Sequence, residues 1–208
     1  MSFLDQNLQN FSDALASKAA TPGGGGGCAL VGALGAALGT MVGNLTVGKK
    51  TYAAVEGDIV KLMEEAEALR TELLGLIDED AVAFEPLSKA YSIPKDDPSR
   101  EETMERSLKT AADVPMRILR LCCRVIDVQK GFAEKGSALA VSDAGCGVVF
   151  CQAAMRGAAL NVMINTKSMK DRGFAVALND EVKSLLDKYG KTADQVYEYV
   201  FGRMDQDG

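Results

Sequence analysis

The chain has 208 residues, 47% of them hydrophobic and 25% charged, and its formal net charge is −6 at pH 7. This composition predicts a single folded domain over residues 1–208, and the acidic balance argues against nucleic-acid binding and against a polybasic membrane anchor. Histidine is absent, which excludes serine–histidine and cysteine–histidine nucleophiles, histidine general bases and HExxH zinc sites. Acid–base chemistry therefore falls to carboxylates, lysine, tyrosine or cysteine.

The cysteines predict reduced thiols rather than disulfides. Their number is odd, no CxxC pair occurs and no signal peptide is recognisable, so we expect a cytoplasmic protein. Cys146 and Cys151 would supply at most two metal ligands, and no second pair has a suitable spacing, so we expect no metal site. The five positions are Cys28, Cys122, Cys123, Cys146 and Cys151.

Hydrophobic residues recur with a helical period in almost every segment, and no β-type alternation is found. A first amphipathic stripe, near the N terminus, ends at Pro22 and the five glycines that follow it. An uncharged helix is predicted from about Gly27 to Val47. A long apolar stripe then runs from Tyr52 to Leu87 and predicts a second long helix.

The second half of the chain continues the helical pattern. Pro94–Pro98 is a polar break, Ser99 with Glu102 predicts a capping box that opens the next helix, and Pro115 is expected to kink or divide that helix. Three more helices are expected: about Asp143–Asn165, about Phe174–Tyr189, and a last one capped by Thr192 with Gln195. The sequence thus predicts an all-α helical bundle of six to eight helices around a buried Gly/Ala-rich helix.

The uncharged segment between Gly23 and Gly48 is long enough to cross a bilayer. Gly35, Gly39 and Gly43 even repeat at the small-xxx-small spacing of membrane helix pairs. Because the segment is rich in Gly and Ala and the other helices are amphipathic, a buried central helix is favoured and no membrane association is expected. Such a helix needs cover on every side, which favours a homodimer.

The glycine run that opens this helix is the first candidate site. The backbone N–H groups of Gly24, Gly25 and Gly26 can turn toward an anion at the positive end of the helix. No Gly-Lys-Ser/Thr closes the run and no strand precedes it, so neither a Walker A loop nor a dinucleotide fingerprint is matched. A flexible connector is the alternative. The position of the run, directly before the most apolar helix, favours a binding loop.

Asp80 is the candidate carboxylate, because the apolar stripe from Leu73 to Leu87 places it on the inward face. A carboxylate in that position is paired, lies at the bundle rim, or is held for chemistry. In the alternative arrangement Ala81 faces inward and Asp80 lies at the boundary.

A later helix carries Asp143, Asn161 and Asn165. Asp143, with Ser142, can simply cap the helix. The two asparagines lie on one helical face, which suits recognition of a flat heterocycle or, alternatively, hydrogen bonding between helices. Lys50 follows the uncharged helix, where it can meet an anionic tail of a ligand or complement the helix C terminus.

Together these segments resemble the cyclodeaminase/cyclohydrolase family, which includes the cyclodeaminase half of formiminotransferase-cyclodeaminase and stand-alone methenyltetrahydrofolate cyclohydrolases. The matching runs keep their order along nearly the whole chain: Pro22–Gly25, Ala33–Leu38, Met41–Thr46, Asp80–Phe84 with Pro94 and Lys95, Ser142–Ala144, and Gly157–Asn165. The resemblance implies a helical homodimer that binds a tetrahydrofolate one-carbon derivative.

The resemblance also implies which residues form the site. Asp80 and Asp143 are the expected catalytic carboxylates, with Asp80 nearest the one-carbon bridge. The expected substrate-binding residues are Gly24, Gly25, Gly26, Asn44, Lys50, Asn161 and Asn165. Two positions depart from the family pattern: Gly26 stands where the family often has Ser, and Cys28 where a small Ala or Ser is usual. The first departure puts a hydroxyl contact from the loop in doubt.

The implied chemistry fits the side chains that this composition leaves available. A methenyl bridge is a delocalised cation, which a buried carboxylate can stabilise while it helps to activate water. We therefore expect hydrolysis of methenyltetrahydrofolate to formyltetrahydrofolate, with neither metal nor cofactor. The alternatives are a formiminotetrahydrofolate cyclodeaminase that releases ammonia and a non-catalytic folate-binding or scaffolding protein. Cyclohydrolase ranks first because no formiminotransferase domain is recognised in these residues.

Overall fold

A computed structural model describes residues 2–205, and every regular element in that range is helical. The α-helices are α1 (Leu8–Leu15), α2 (Gly24–Asn44), α3 (Glu56–Tyr91), α4 (Arg100–Lys135), α5 (Val141–Ser168) and α6 (Arg172–Asp205). Single 3-10 turns at Lys50–Tyr52 and Ala138–Ala140 precede α3 and α5. The predicted all-α class is confirmed.

Helices α2, α3, α4 and α5 form an antiparallel bundle in which each packs on the next and α5 packs back on α2. The direction of α3 against α2 is visible at both ends, where Gly25 lies beside Asp80 and Gly43 lies beside Met63. Helix α6 packs on the outside of α5 and α4. Helix α1 buries only Phe11 and lies beside the first turns of α2.

The glycines of α2 let three helices approach closely around Gln129 of α4, which is fully buried. Its Nε2 donates to the carbonyl oxygen of Gly35 at 2.5 Å. A Cβ on Gly39 would lie 2.8 Å from the same nitrogen, and a Cβ on Gly147 of α5 would lie 2.5 Å from it. Only glycine fits at these positions, because interiors are packed without spare volume.

The prediction that α2 is covered on every side is not confirmed. The helix begins and ends about one turn earlier than expected, and its outer side remains open: Leu34 is 45% exposed and Met41 is 46% exposed. The outer side of α5 is also apolar. We call this surface the α2–α5 face; its members are Val31, Leu34, Leu38 and Met41 of α2, Leu45 directly after α2, and Cys146, Phe150, Ala153, Leu160 and Ile164 of α5. By length and composition alone, α2 and Ala138–Ser168 could each cross a membrane, and half of each is buried in the bundle.

One predicted helix boundary is wrong, and two local predictions hold only in part. Helix α4 begins directly after Ser99, as predicted, but the Ser99 hydroxyl donates to Asp97 and not to the first turn of the helix. Pro115 lies within α4 and does not divide it. Helix α6 continues past Thr192, whose hydroxyl donates to the Lys188 carbonyl within the same helix. Burial of long apolar stripes outweighs these local signals, since propensities and caps contribute only about 1 kcal/mol each.

Candidate active site

The glycine run and Asp80 meet where α2 begins. Oδ2 of Asp80 accepts a hydrogen bond from the backbone N–H of Gly26 at 2.9 Å. The backbone of Gly25 lies so close that a Cβ there would be 2.5 Å from the carboxyl carbon of Asp80. The positive end of the α2 dipole therefore points at this carboxylate, and the chain needs glycine at position 25 for the approach.

The Asp80 carboxylate is desolvated and has no basic partner. Burial raises its pKa above the ordinary value of 3.8, and the hydrogen bond from Gly26 opposes the rise. None of the ion pairs formed within residues 2–205 includes Asp80. A carboxylate in this state is suited to accept a proton, and its charge would be compensated by a cationic ligand.

Asn161 of α5 closes the other side of the glycine run. A Cβ on Gly24 would lie 3.1 Å from both Oδ1 and Nδ2 of Asn161. The amide is oriented by its own helix, because Nδ2 donates to the carbonyl oxygen of Gly157 at 2.9 Å. This bond uses a donor and leaves Oδ1 to accept a hydrogen bond from a ligand.

We call Gly24–Gly26, Asp80 and Asn161 the Asp80 cluster. One of its members, Gly24, lines an apolar cavity of about 420 Å³. The cavity lies between α1, α2 and α5, and its lining includes Leu8, Phe11, Leu15, Gly24, Cys28, Leu30, Val31 and Ala153. Its volume is typical of small-molecule sites. Sequence reasoning missed α1 as a wall of this cavity, because the stripe in α1 gives no information about which helix it covers.

Cys28 lines the cavity, and its thiol is close enough to Asp80 to feel the charge of that carboxylate. Burial raises the pKa of its thiol to about 11, and the charge of Asp80 adds to the rise. The thiol is therefore protonated at neutral pH and is not a nucleophile. A Cβ on Gly157 would lie 2.5 Å from its sulfur. The pairing of Cys28 with Gly157 escaped the sequence analysis, since it depends on the register of α2 against α5.

Asn165 is close to the Asp80 cluster but is used inside the fold. Its Nδ2 donates to the carbonyl oxygen of Ala111 at 3.1 Å and to that of Asn161 at 2.9 Å. The side chain is only 9% exposed. Pro115 has no N–H to donate to Ala111, four residues earlier in α4, so Asn165 satisfies the carbonyl that the proline leaves free.

The remaining predicted residues lie at the other end of the α2–α5 pair. Asn44 is the last residue of α2, Lys50 opens a 3-10 turn, and Asp143 lies in the first turn of α5. About five helical turns, roughly 27 Å, separate Asp143 from Asn161 along α5. A single chain therefore does not bring these three residues to the Asp80 cluster.

Comparison with known proteins supports the same family as the motifs. A family described as formiminotransferase-cyclodeaminase matches residues 7–184. The chain is also 42% identical over 205 residues to a methenyltetrahydrofolate cyclohydrolase of Methylorubrum extorquens, a match that covers 97% of this chain and 99% of that protein. The chain belongs to the formiminotransferase-cyclodeaminase family. The resemblance deduced from the sequence motifs is thereby confirmed.

Other members of the formiminotransferase-cyclodeaminase family match over different shares of their length. A formimidoyltransferase-cyclodeaminase of Mus musculus is 30% identical over 189 residues, which are 89% of this chain but only 35% of that protein. The crystal structure of a formiminotetrahydrofolate cyclodeaminase from Thermotoga maritima matches with a TM-score of 0.83 and 29% identity, covering 97% of both chains. The helical fold of this chain is therefore that of a solved family member.

Proposed function

We propose that this family member is a methenyltetrahydrofolate cyclohydrolase, a single-domain enzyme over residues 1–208 that forms formyltetrahydrofolate. The observation that carries the proposal is the desolvated carboxylate of Asp80, which has no basic partner among residues 2–205 and is held by a glycine run whose Gly24 lines a cavity of ligand size. In this proposal the cationic methenyl bridge of the substrate supplies the positive charge that the Asp80 carboxylate lacks in the free protein. The near full-length similarity to a cyclohydrolase of Methylorubrum extorquens supports the same reaction.

In this proposal Asp80 is the general base. It stabilises the cationic bridge and takes one proton from water while the oxygen adds to the bridge carbon. The bond from that carbon to the ring nitrogen N5 then breaks, and Asp80 returns the proton to N5. The hydroxyl group on the bridge carbon loses its proton to solvent and becomes the formyl carbonyl on N10. One water is consumed and one proton is released.

Neighbouring groups have supporting roles in the proposal. The N–H of Gly26 holds the carboxylate in place, Oδ1 of Asn161 accepts a hydrogen bond from the heterocycle, and the apolar cavity takes an aromatic part of the substrate. The proposed reaction uses neither a metal nor a cofactor. Asp80, the backbone dipole and water supply all of its proton transfers.

Formiminotetrahydrofolate cyclodeaminase activity is the second candidate. The structural match to the Thermotoga maritima cyclodeaminase over 97% of both chains favours it. A folate nitrogen attacks the formimino carbon in that reaction, and ammonia leaves after proton transfer. The same carboxylate can serve, since both reactions pass through a similar cation.

The α2–α5 face supports a cytoplasmic homodimer. With a length of about 30 Å and the width of two packed helices, about 20 Å, the face covers roughly 600 Å², at the lower end of the area that each partner buries in a standard interface. Exposed apolar patches of this size are uncommon on monomers. All five cysteines are free, as expected in a reducing compartment. Sedimentation should give a dimer, and Leu34→Glu should give a folded monomer; a wild-type monomer at micromolar concentration contradicts the dimer.

The decisive experiment for the reaction supplies each substrate to pure, chelator-treated enzyme. Loss of the near-ultraviolet absorbance of methenyltetrahydrofolate reports hydrolysis, and ammonia release from formiminotetrahydrofolate reports the second reaction. We expect the first, with Asp80→Asn inactive and Asp180→Asn, an exposed matched control that pairs only with Lys183, fully active. A folded, dimeric protein inactive toward both substrates would make it a non-catalytic binding protein.

A further inference from the structure

The segment Ser2–Leu15 is held on α3 by the side chain of Asp78. Oδ1 of Asp78 accepts a hydrogen bond from the backbone N–H of Phe3 at 2.6 Å, and Oδ2 accepts one from the hydroxyl of Ser2 at 2.5 Å. Both carboxylate oxygens therefore bind residues that are far away in the sequence. Hydrogen bonds to an ionised acceptor are stronger than neutral ones, so Asp78 is a firm attachment point for this segment.

The attachment reaches α1 through two aromatic rings. Phe3 meets Phe11 edge to face, with the ring centroids 6.4 Å apart, and Phe11 is the one buried residue of α1. A helix of only eight residues is marginally stable by itself in water. The position of α1 therefore depends on the burial of Phe11 and on the attachment of Phe3 to α3.

Helix α1 presents apolar side chains to the cavity of about 420 Å³. Leu8, Phe11 and Leu15 line the cavity, and α5 contributes Ala153 and Ala154 to the same lining. Leu8 is 75% exposed and Leu15 is 41% exposed in the free protein. An apolar ligand in the cavity would bury both leucines, and removing their surface from water would favour binding.

A short stretch of α3 holds both Asp80 and this wall of the cavity. Asp80 accepts the N–H of Gly26, while Asp78, two residues earlier, accepts that of Phe3. Gly24, which lies beside Asn161 in the Asp80 cluster, also lines the cavity. This stretch of α3 therefore fixes where α1 lies relative to the Asp80 carboxylate.

This inference rests on the proposed function and deepens it. We propose that Asp78 is a positioning residue of the active site: it holds the segment Ser2–Leu15 on α3 and so places α1 as the wall that binds an aromatic part of the substrate. Asp78 touches neither the substrate nor the reacting atoms. Leu8 and Leu15 make the contact with the aromatic ring, and they affect how tightly the substrate binds without taking part in proton transfer.

The first test removes the two hydrogen bonds of Asp78 and then restores them. Asp78→Ala should raise KM about tenfold with less than about a threefold change in kcat, because Asp80 keeps its bond from Gly26. Asp78→Asn should return KM to near the wild-type value. Its amide can accept the N–H of Phe3 and donate to the hydroxyl of Ser2.

Glu67→Ala is the matched control on α3, because this exposed carboxylate pairs with Arg70 of the same helix. Its KM should equal that of wild type. A wild-type KM in Asp78→Ala overturns the proposal, and so does a loss of activity confined to kcat, which would show that the attachment does not act on substrate binding.

Leu8→Ala tests the wall directly and does not depend on the folding of the Asp78 variants. Because Leu8 is largely exposed in the free protein, its truncation should leave the urea midpoint unchanged. KM should rise about three- to tenfold, the loss expected when part of a buried leucine is removed from the complex. Val176→Ala, at a half-exposed position of α6 outside the cavity lining, should change neither quantity. Equal KM values for these two variants would overturn the proposal.

Calorimetric titration with tetrahydrofolate separates this inference from the proposed reaction, because it measures binding without turnover. A Kd raised about tenfold in Asp78→Ala, and three- to tenfold in Leu8→Ala, supports the wall whichever reaction follows. A wild type that binds tetrahydrofolate but converts neither substrate would remove the proposed function and leave this support intact. The same Kd in wild type, Asp78→Ala and Leu8→Ala would overturn the wall and leave the reaction unaffected.

Discussion

The side chain of Asn165 donates a hydrogen bond to the carbonyl oxygen of Ala111 at 3.1 Å, the oxygen that Pro115 leaves without a helical partner. Because α4 passes through Pro115 unbroken, this bond joins α5 to α4 at an interior position where the helix lacks its own donor. Asn165 therefore contributes to the stability of the bundle more directly than to the binding of a ligand.

Asn165→Ala should lower the free energy of unfolding by about 1–3 kcal/mol, since it leaves a buried carbonyl unsatisfied. In a Pro115→Ala background the restored N–H can bond Ala111, so the same substitution should cost less there. Urea unfolding of the four proteins in this cycle measures the coupling. Equal costs in both backgrounds, together with a raised KM, would assign Asn165 to the substrate instead.

Gly25→Ala should abolish activity without unfolding the protein. The added Cβ would lie 2.5 Å from the carboxyl carbon of Asp80, so the side chain must move and the bond from Gly26 is lost. We expect a fall in kcat of about 100-fold, the usual effect of a misplaced general base. Gly23→Ala is the matched control, because its Cβ would meet nothing within 4 Å. Equal activity of the two variants would exclude contact between Asp80 and the loop as a requirement for catalysis.

The fold class and the order of the first helices were predictable from the sequence, and the family resemblance assigned Asp80 and Gly24–Gly26 to one site. The spacing of apolar residues and glycines along a helix shows which of its faces is buried. A carboxylate on a buried face is rare, so Asp80 can be recognised as a candidate. The break before the last helix was predicted wrongly, because the local signal at Thr192 competes with packing that the sequence does not display. The separation of Asp143 from Asn161 was implicit in the predicted helix over about Asp143–Asn165, because 18 helical residues span about 27 Å; the family resemblance nevertheless assigned both residues to one site.

The dependence of the rate on pH should identify Asp80 as the base. Burial raises its pKa above the ordinary 3.8, and only the ionised form can accept a proton. The ratio kcat/KM, which reports ionisation in the free enzyme, should therefore rise with pH through a pKa above 3.8. Asp80→Asn should be slower by about 100- to 10,000-fold and should lack this acid limb. Retention of the limb in Asp80→Asn would assign it to another group, with Asp143→Asn as the next variant to measure.

Ionisation of Asp80 should also change the stability of the protein. The ionised form, which catalysis requires, is the form that disfavours folding. The folded-state pKa of Asp80 is raised by burial, so the folded protein binds its proton more tightly than the unfolded chain does. The resulting stabilisation is present below about pH 4 and is lost as pH rises through the folded-state pKa. At neutral pH the buried charge opposes folding.

Asp80→Asn removes that charge and retains an oxygen to accept the N–H of Gly26. Relative to wild type, its free energy of unfolding should therefore increase as pH rises from about 3 to 7. Asp58→Asn is a control of opposite sign. The hydrogen bond from Lys135 lowers the pKa of Asp58, so this variant should lose stability relative to wild type over the same range. Urea unfolding at several pH values measures all three proteins. If the free energy of unfolding of Asp80→Asn varied with pH in parallel with that of wild type, ionisation of Asp80 would not oppose folding. Asp80 would then be well solvated, and a well-solvated carboxylate would be a poor base for the proposed reaction.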